Sequence, residues 1–160
     1  KGRREMSTDR AFLDQAIALA FDNIEQGGRP FGAVVVKDGD VIATGVNRMQ
    51  AECDPTAHAE LLALRAAGKA LQSPRLDGCA VYASGQPCPM CFAAMRMAGV
   101  DKILFANSNE QAEPYGLSTA KIAAELAKPV SAQTGIRFEH CPSEEGERLL
   151  RSWQDRSGTQ

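Results

Sequence analysis
No apolar run in this sequence approaches the roughly 20 residues that a membrane-spanning helix needs, and the first residues lack the apolar core of a secretion signal. A membrane protein and an exported one are therefore set aside, and a cytoplasmic location is expected. Charge of one sign is also missing. The 18 basic residues stand against 20 acidic ones, no block of like charge interrupts the mixture, and the net charge is −2. Proteins that grip a nucleic-acid backbone carry a basic stripe, so the balance points away from DNA or RNA and towards a small-molecule substrate. The sequence has no repeats, linkers or low-complexity tracts, which leaves a single domain as the economical organisation. The cysteines are five, an odd number, and Cys88 and Cys91 lie three apart. In a reducing compartment that pattern reads as metal or redox chemistry, not a disulfide framework. What is present is ordinary: 160 residues, 44% apolar and 24% charged, suffice to bury about two-thirds of the unfolded surface around one core. Residues 1–5 precede Met6 and are read as a remnant outside the domain, 6–160.

Apolar spacing from Phe12 to Ile24, with Ser7, Thr8 and Asp9 as N-cap candidates and Gly27-Gly28 as a stop, predicts a first helix. Ala33–Val36 and Val41–Ala43, around Lys37-Asp38-Gly39-Asp40, read as a β-hairpin. Asp54-Pro55 offers a cap and a proline for a second helix, His58 to Ala70. Cys79–Tyr82 reads as strand three, Pro89–Met97 as a helix ending at Gly99, and Lys102–Ala106 as strand four. A helix at Ser118–Leu126, a fifth strand at Ile136–Glu139 and a last helix at Glu144–Gln154 complete the pattern. Because a helix joins strands four and five, those two are expected to run parallel. The fold class is α/β, a three-layer α/β/α sandwich on a five-stranded mixed sheet.

The chemistry concentrates in two short stretches. In Pro87-Cys88-Pro89-Met90-Cys91, Cys88 takes the cap of a helix and Cys91 lies one turn on, so both sulfurs face one way. A helix N-terminus favours thiolate, the form that binds zinc. His58-Ala59-Glu60 falls at another helix start, and helices that follow strands bring their N-termini to one edge of a sheet. One His and two Cys leave a tetrahedral Zn2+ with an open position for water, as in catalytic sites, and zinc lowers the pKa of such a water towards about 7. Deamination also needs protons delivered to a ring nitrogen and to the departing amine, and Glu60, near the metal but not bound to it, has that reach. The pairing of H-x-E with P-C-x-x-C is the general signature of zinc deaminases that act on nucleobases.

On Asp54-Pro55-Thr56-Ala57-His58-Ala59-Glu60 and Gln86-Pro87-Cys88-Pro89-Met90-Cys91, with Pro30-Phe31-Gly32-Ala33 and Asn47, the chain resembles the cytidine and deoxycytidylate deaminase superfamily. Within it, the branch of bacterial guanine deaminases and tRNA adenosine deaminases is the most similar, from about Phe12 to Trp153. The resemblance implies that Asn47 hydrogen-bonds the base, Phe31 stacks on it and the Ala59 backbone lines the pocket. Guanine deaminases carry an acidic residue before the fourth helix, where this chain reads Gly116-Leu117-Ser118-Thr119, with Glu110 and Glu113 earlier. Glu113 is the nearest candidate to replace it, and Trp153 is a candidate to cap the pocket. The implied activity is a zinc-dependent aminohydrolase of a free nucleobase, guanine first, acting as a homodimer.

Other readings stand beside this one. A tRNA adenosine deaminase shares the motifs. A C-x-x-C after a strand also fits a thiol redox site, and Cys53 or Cys79 could complete a structural zinc knuckle. Cys53, Cys79 and Cys141 are otherwise read as small apolar fillers, His140 as an ordinary surface or strand-end residue, and Met90, Met95 and Met97 as core or interface packing.

Overall fold
The computed structural model describes residues 2–158, which divide into two compact units with the boundary between Ala124 and Glu125. The first unit is built on a four-stranded sheet in the order β2-β1-β3-β4, with β1 Gly32–Lys37, β2 Asp40–Val46, β3 Cys79–Gly85 and β4 Lys102–Asn107. β1 pairs antiparallel with β2 and with β3, and β3 pairs parallel with β4. The β1–β2 turn places Asp38 and Gly39 at φ 52° and 82°, the left-handed pair of a tight hairpin. A bulge between Val35 and Val36 then shifts the register. As a central strand, β1 is buried on both faces from Gly32 to Val36, which is why its sequence is β-branched without alternation.

Helices cover both faces. α1 (Gly2–Glu25) lies on one, where Ala16 packs with Val34, Val36 and Tyr82. α3 (Ala59–Leu71) and α4 (Pro89–Ala98) lie on the other, over a core containing Val35, Val81, Cys79 and the fully buried Met95. α2 (Met49–Glu52), which the sequence pattern did not reveal, is a single turn between β2 and α3. The three-layer expectation therefore holds within this unit. α3 sits close enough to β2 that a Cβ on Gly45 would collide with the Ala59 carbonyl oxygen and reach 2.7 Å from the Ala63 amide nitrogen.

Several expectations are corrected. α1 starts at Gly2, ahead of the expected caps, because Ser7 and Thr8 hydroxyls bond back to the Arg4 carbonyl and Asp9 is taken by Lys102 and Tyr82. Asp54-Pro55 does not start a helix; Asp54 accepts from the Thr56 N–H at 2.8 Å, which turns the chain before α3. The parallel pair lies one step earlier than expected, at β3–β4, with α4 as the crossover.

No fifth strand forms among the described residues. The second unit holds a short 3₁₀ turn at Val130–Ala132 and α7 (Glu144–Ser157), capped by Ser143. Between them Ile136 and Phe138 are 68% and 72% exposed, and no strand among the described residues pairs with them. Four alternating residues have β character, but a strand needs a partner for its N–H and C=O groups. α6 (Ala120–Leu126) spans the boundary between the units, α5 (Asn109–Ala112) is a single turn after β4, and Pro142 ends the alternation before α7. No helix among the described residues is long and apolar enough to cross a membrane.

Candidate active site
His58 is the N-cap of α3 and Cys88 the N-cap of α4, both with extended backbone, and neither side chain caps its own helix. An N-cap side chain ordinarily accepts from the first turn; here both are turned towards each other. Cys91, one turn into α4 behind Pro89 and Met90, joins them. The His58 Nδ1 lies 3.5 Å from Cys88 Sγ and 3.5 Å from Cys91 Sγ, and the three ligand atoms all fall within 4.8 Å of one another. A tetrahedral zinc with bonds of about 2.0 Å to nitrogen and about 2.3 Å to sulfur sets those atoms roughly 3.5 Å apart, so this donor set fits the ion. Zinc lies first among the metals that a mixed imidazole and thiolate set selects.

The loop ahead of His58 is held from several directions. Thr56 donates its hydroxyl to Asp54 at 2.7 Å and accepts from the Arg65 guanidinium at 3.0 Å, while Arg48 N–H reaches the Ala57 carbonyl at 2.9 Å. Those bonds draw the Asp54 carboxyl below its ordinary pKa, with Thr56 as the main cause.

The two thiols act on each other through a hydrogen bond. The hydrogen bond from Cys91 pulls Cys88 down to about 4, against the cost of burial and with help from His58. The same bond, together with burial, pushes Cys91 up. His58 is raised, chiefly by its bond to Cys88. One thiolate thus stands ready beside the imidazole, and a divalent cation would displace the remaining thiol proton.

Glu60 is 5% exposed, and its burial holds the carboxyl above the usual carboxylate range, with the bond to Cys91 pulling the other way. It opens into a cavity of about 240 Å³ with His58, Ala59, Cys88, Asn47 and Phe31. Asn47, which lines the cavity, is 5% exposed, and its Oδ1 accepts from the Met49 N–H at 3.2 Å, which leaves the amide nitrogen as its free donor. Gly85 lies against the Phe31 ring.

Of the residues that the sequence singled out, Glu60, His58, Cys88, Cys91, Asn47, Phe31 and Ala59 come together in this one place. Glu113 does not. It begins an exposed 3₁₀ turn, and the wall it was expected to supply is made by Leu117 and Thr119. Thr119 is fixed by Asn109, whose Oδ1 accepts from its N–H at 3.1 Å. Trp153 belongs to the second unit, where it is 72% exposed. Arg29, Met49 and Gln86 line the cavity without having been expected to. Only Gln86 had a local signal, its place beside the Pro87-Cys88 motif; it fastens the segment after β4 by accepting from Asn109 N–H at 2.9 Å. Of the supposed fillers, Cys79 is buried, whereas Cys53 and Cys141 are exposed. His140 is a surface residue, as one of its two readings had it, in a segment that is no strand.

Residues 6–107 match the family model of the cytidine and deoxycytidylate deaminase zinc-binding region. The guanine deaminase of Bacillus subtilis is 42% identical over 124 residues, covering 77% of this chain and 80% of that protein. The tRNA-specific adenosine deaminase of Aquifex aeolicus is 32% identical over 139 residues, 87% of this chain and 89% of that protein. The X-ray structure of the Bacillus subtilis guanine deaminase superposes with a TM-score of 0.84 at 38% identity, covering 91% of this chain and 93% of that one. Sheet, paired helix starts and ligand cluster define a zinc-dependent hydrolytic deaminase, and the chain belongs to the cytidine and deoxycytidylate deaminase family. The redox and structural-zinc alternatives fall away with that membership.

Proposed function
We propose that the enzyme removes the exocyclic amine of a free nucleobase, guanine first, and releases it as ammonia. The observation that carries this reading is the cavity. Its volume of about 240 Å³ lies below the roughly 300–1,000 Å³ of sites for drug-sized ligands, and its walls offer Phe31 to the face of a ring and the unclaimed Asn47 amide nitrogen to its edge. The similarity to the Bacillus guanine deaminase supports guanine as the base. His58, Cys88 and Cys91 hold the zinc, which when bound supplies an activated water at neutral pH. Glu60, too buried to lose protons to bulk solvent, carries them from the attacking water to the ring nitrogen and then to the departing amine. The carbon gains an oxygen from water as it loses nitrogen. The Ala59 backbone completes the pocket beside Glu60.

None of these contacts calls for a phosphate. Ammonia release from guanine is expected to change little between low and high salt, because no counterions are displaced on binding. Deamination of a tRNA anticodon stem-loop, with no free base turned over, would reverse the assignment in favour of the activity of the Aquifex relative. The same reading takes the domain, 6–160, as a cytoplasmic homodimer with no nucleic-acid or membrane partner. Met90 and Met97, two turns apart on one face of α4, are 37% and 80% exposed, an apolar surface suited to a second copy. Sedimentation at twice the 17.1 kDa of one chain checks it.

A further inference from the structure
α1 buries a stripe of Ala16, Ala20 and Asn23 against the sheet. Asn23, 7% exposed, is the polar member of an otherwise apolar stripe, and a buried amide must be paired to be tolerated. It spends both hydrogens of its Nδ2 on carbonyls from two other segments, Arg29 at 2.7 Å and Asn47 at 3.0 Å. The Arg29 carbonyl also accepts from Phe31 N–H at 2.8 Å, and the Phe31 carbonyl accepts from Asn47 N–H at 3.2 Å. The four bonds close a circuit: Asn23 to Arg29, Arg29 to Phe31, Phe31 to Asn47, and Asn47 back to Asn23.

Two members of that circuit, Phe31 and Asn47, are the groups offered to the face and the edge of the base, whereas Asn23 itself does not line the cavity. The Asn47 side chain is set by Met49 N–H, but its main chain is set by Asn23. Gly28 closes the arrangement from behind. A Cβ there would stand 2.5 to 2.8 Å from the Asn23 amide atoms, although the backbone conformation of Gly28 is open to any residue.

The geometry points to Asn23 as a positioning residue of the substrate pocket, which sets the spacing between Phe31 and Asn47 through their backbones. This rests on the proposed use of Phe31 and Asn47 for the base. Asn23→Asp keeps the shape but removes both donors, and Gly28→Ala displaces the amide while keeping them. Both variants are expected to retain zinc, to raise KM for guanine on the order of tenfold, the factor associated with one hydrogen bond lost or misplaced, and to leave kcat within about threefold. Because Asn23 acts through Asn47 and Phe31 together, adding Asn23→Asp to Asn47→Ala raises KM by less than Asn23→Asp does in the unaltered protein.

Amide hydrogen exchange supplies a readout that does not depend on the substrate. Protection of Phe31 and Asn47 N–H is expected to fall together in Asn23→Asp while the N–H groups of β3 keep theirs. A lower melting temperature with unchanged KM in both variants, or unchanged protection at Phe31 and Asn47, would overturn the assignment. If the unaltered protein turns over no free base, the proposed substrate fails and hydrogen exchange alone decides the role of Asn23.

Discussion

Glu60→Gln separates the metal site from the proton shuttle. The two side chains have nearly the same shape, so the substitution leaves the packing at the start of α3 intact, and none of the three ligand atoms is touched. What is lost is a carboxyl that is 5% exposed in the wall of a small cavity, where no bulk buffer can take its place. General acid/base catalysis by a positioned group contributes about 10² to 10⁴ in rate, which at about 1.36 kcal/mol per decade is roughly 2.7 to 5.4 kcal/mol of barrier. The proposed mechanism routes two proton deliveries through Glu60, so the loss is expected in the upper half of that range. The assay is ammonia release at saturating guanine, with zinc content and melting temperature measured on the same preparation. The expected result is full zinc, a melting temperature within a few degrees of the unaltered protein, and kcat lower by at least about a thousandfold. Turnover within threefold of the unaltered enzyme, with zinc in place, would refute the role of Glu60. Loss of zinc along with activity would show instead that Glu60 supports the ligands.

Cys88→Ser exchanges a thiolate already drawn down to about 4 for an alcohol that zinc binds poorly, so elemental analysis is expected to find far less than one zinc per chain and the activity to be absent; full occupancy would remove Cys88 from the ligand set. On the other face of the sheet, Asp9 accepts from Lys102 at 2.8 Å and from the Tyr82 hydroxyl at 2.6 Å, and these bonds hold its carboxyl below the ordinary value. A depressed folded-state pKa gives stability that is present above the unfolded value of about 3.9 and is lost as pH falls through the folded one. Asp9→Asn is therefore expected to lower the melting temperature at neutral pH and to flatten its fall below about pH 4, whereas parallel curves for the two proteins would rule out the linkage.

Much of the fold was legible because its signals are local. Gly99 does end α4 with a left-handed residue, Lys37 to Asp40 does turn β1 into β2, and the Cys88-Pro89 start of α4 follows from a cap and a proline at adjacent positions. Errors arose where one local pattern had two outcomes. Ile136–Glu139 alternates like a strand, yet alternation records only which side chains could share a face, not whether a neighbouring strand exists to pair with. Asp54-Pro55 reads as a helix start from composition, but the Asp54 carboxyl is committed to Thr56, and α3 begins at Ala59 with His58 as its cap.

The metal site was legible for a related reason. Its ligands are placed by two helix starts, and the spacing of Cys88 and Cys91 within one turn is a property of the helix alone. The pocket walls had no such short-range rule. Leu117 and Thr119 enter through the path of the chain after β4, which Asn109 and Gln86 fix by bonds across 10 and 23 residues. Asn23 reaches Asn47 across 24 residues. Its one sequence-level trace is an amide where the spacing of Ala16 and Ala20 calls for an apolar side chain, and at such a position desolvation disfavours the residue unless a partner exists elsewhere in the fold. A polar residue inside an apolar stripe is thus a signal of long-range pairing, and in α1 it marks the helix turn whose amide holds the backbone of two cavity-lining residues, Asn47 directly and Phe31 through Arg29.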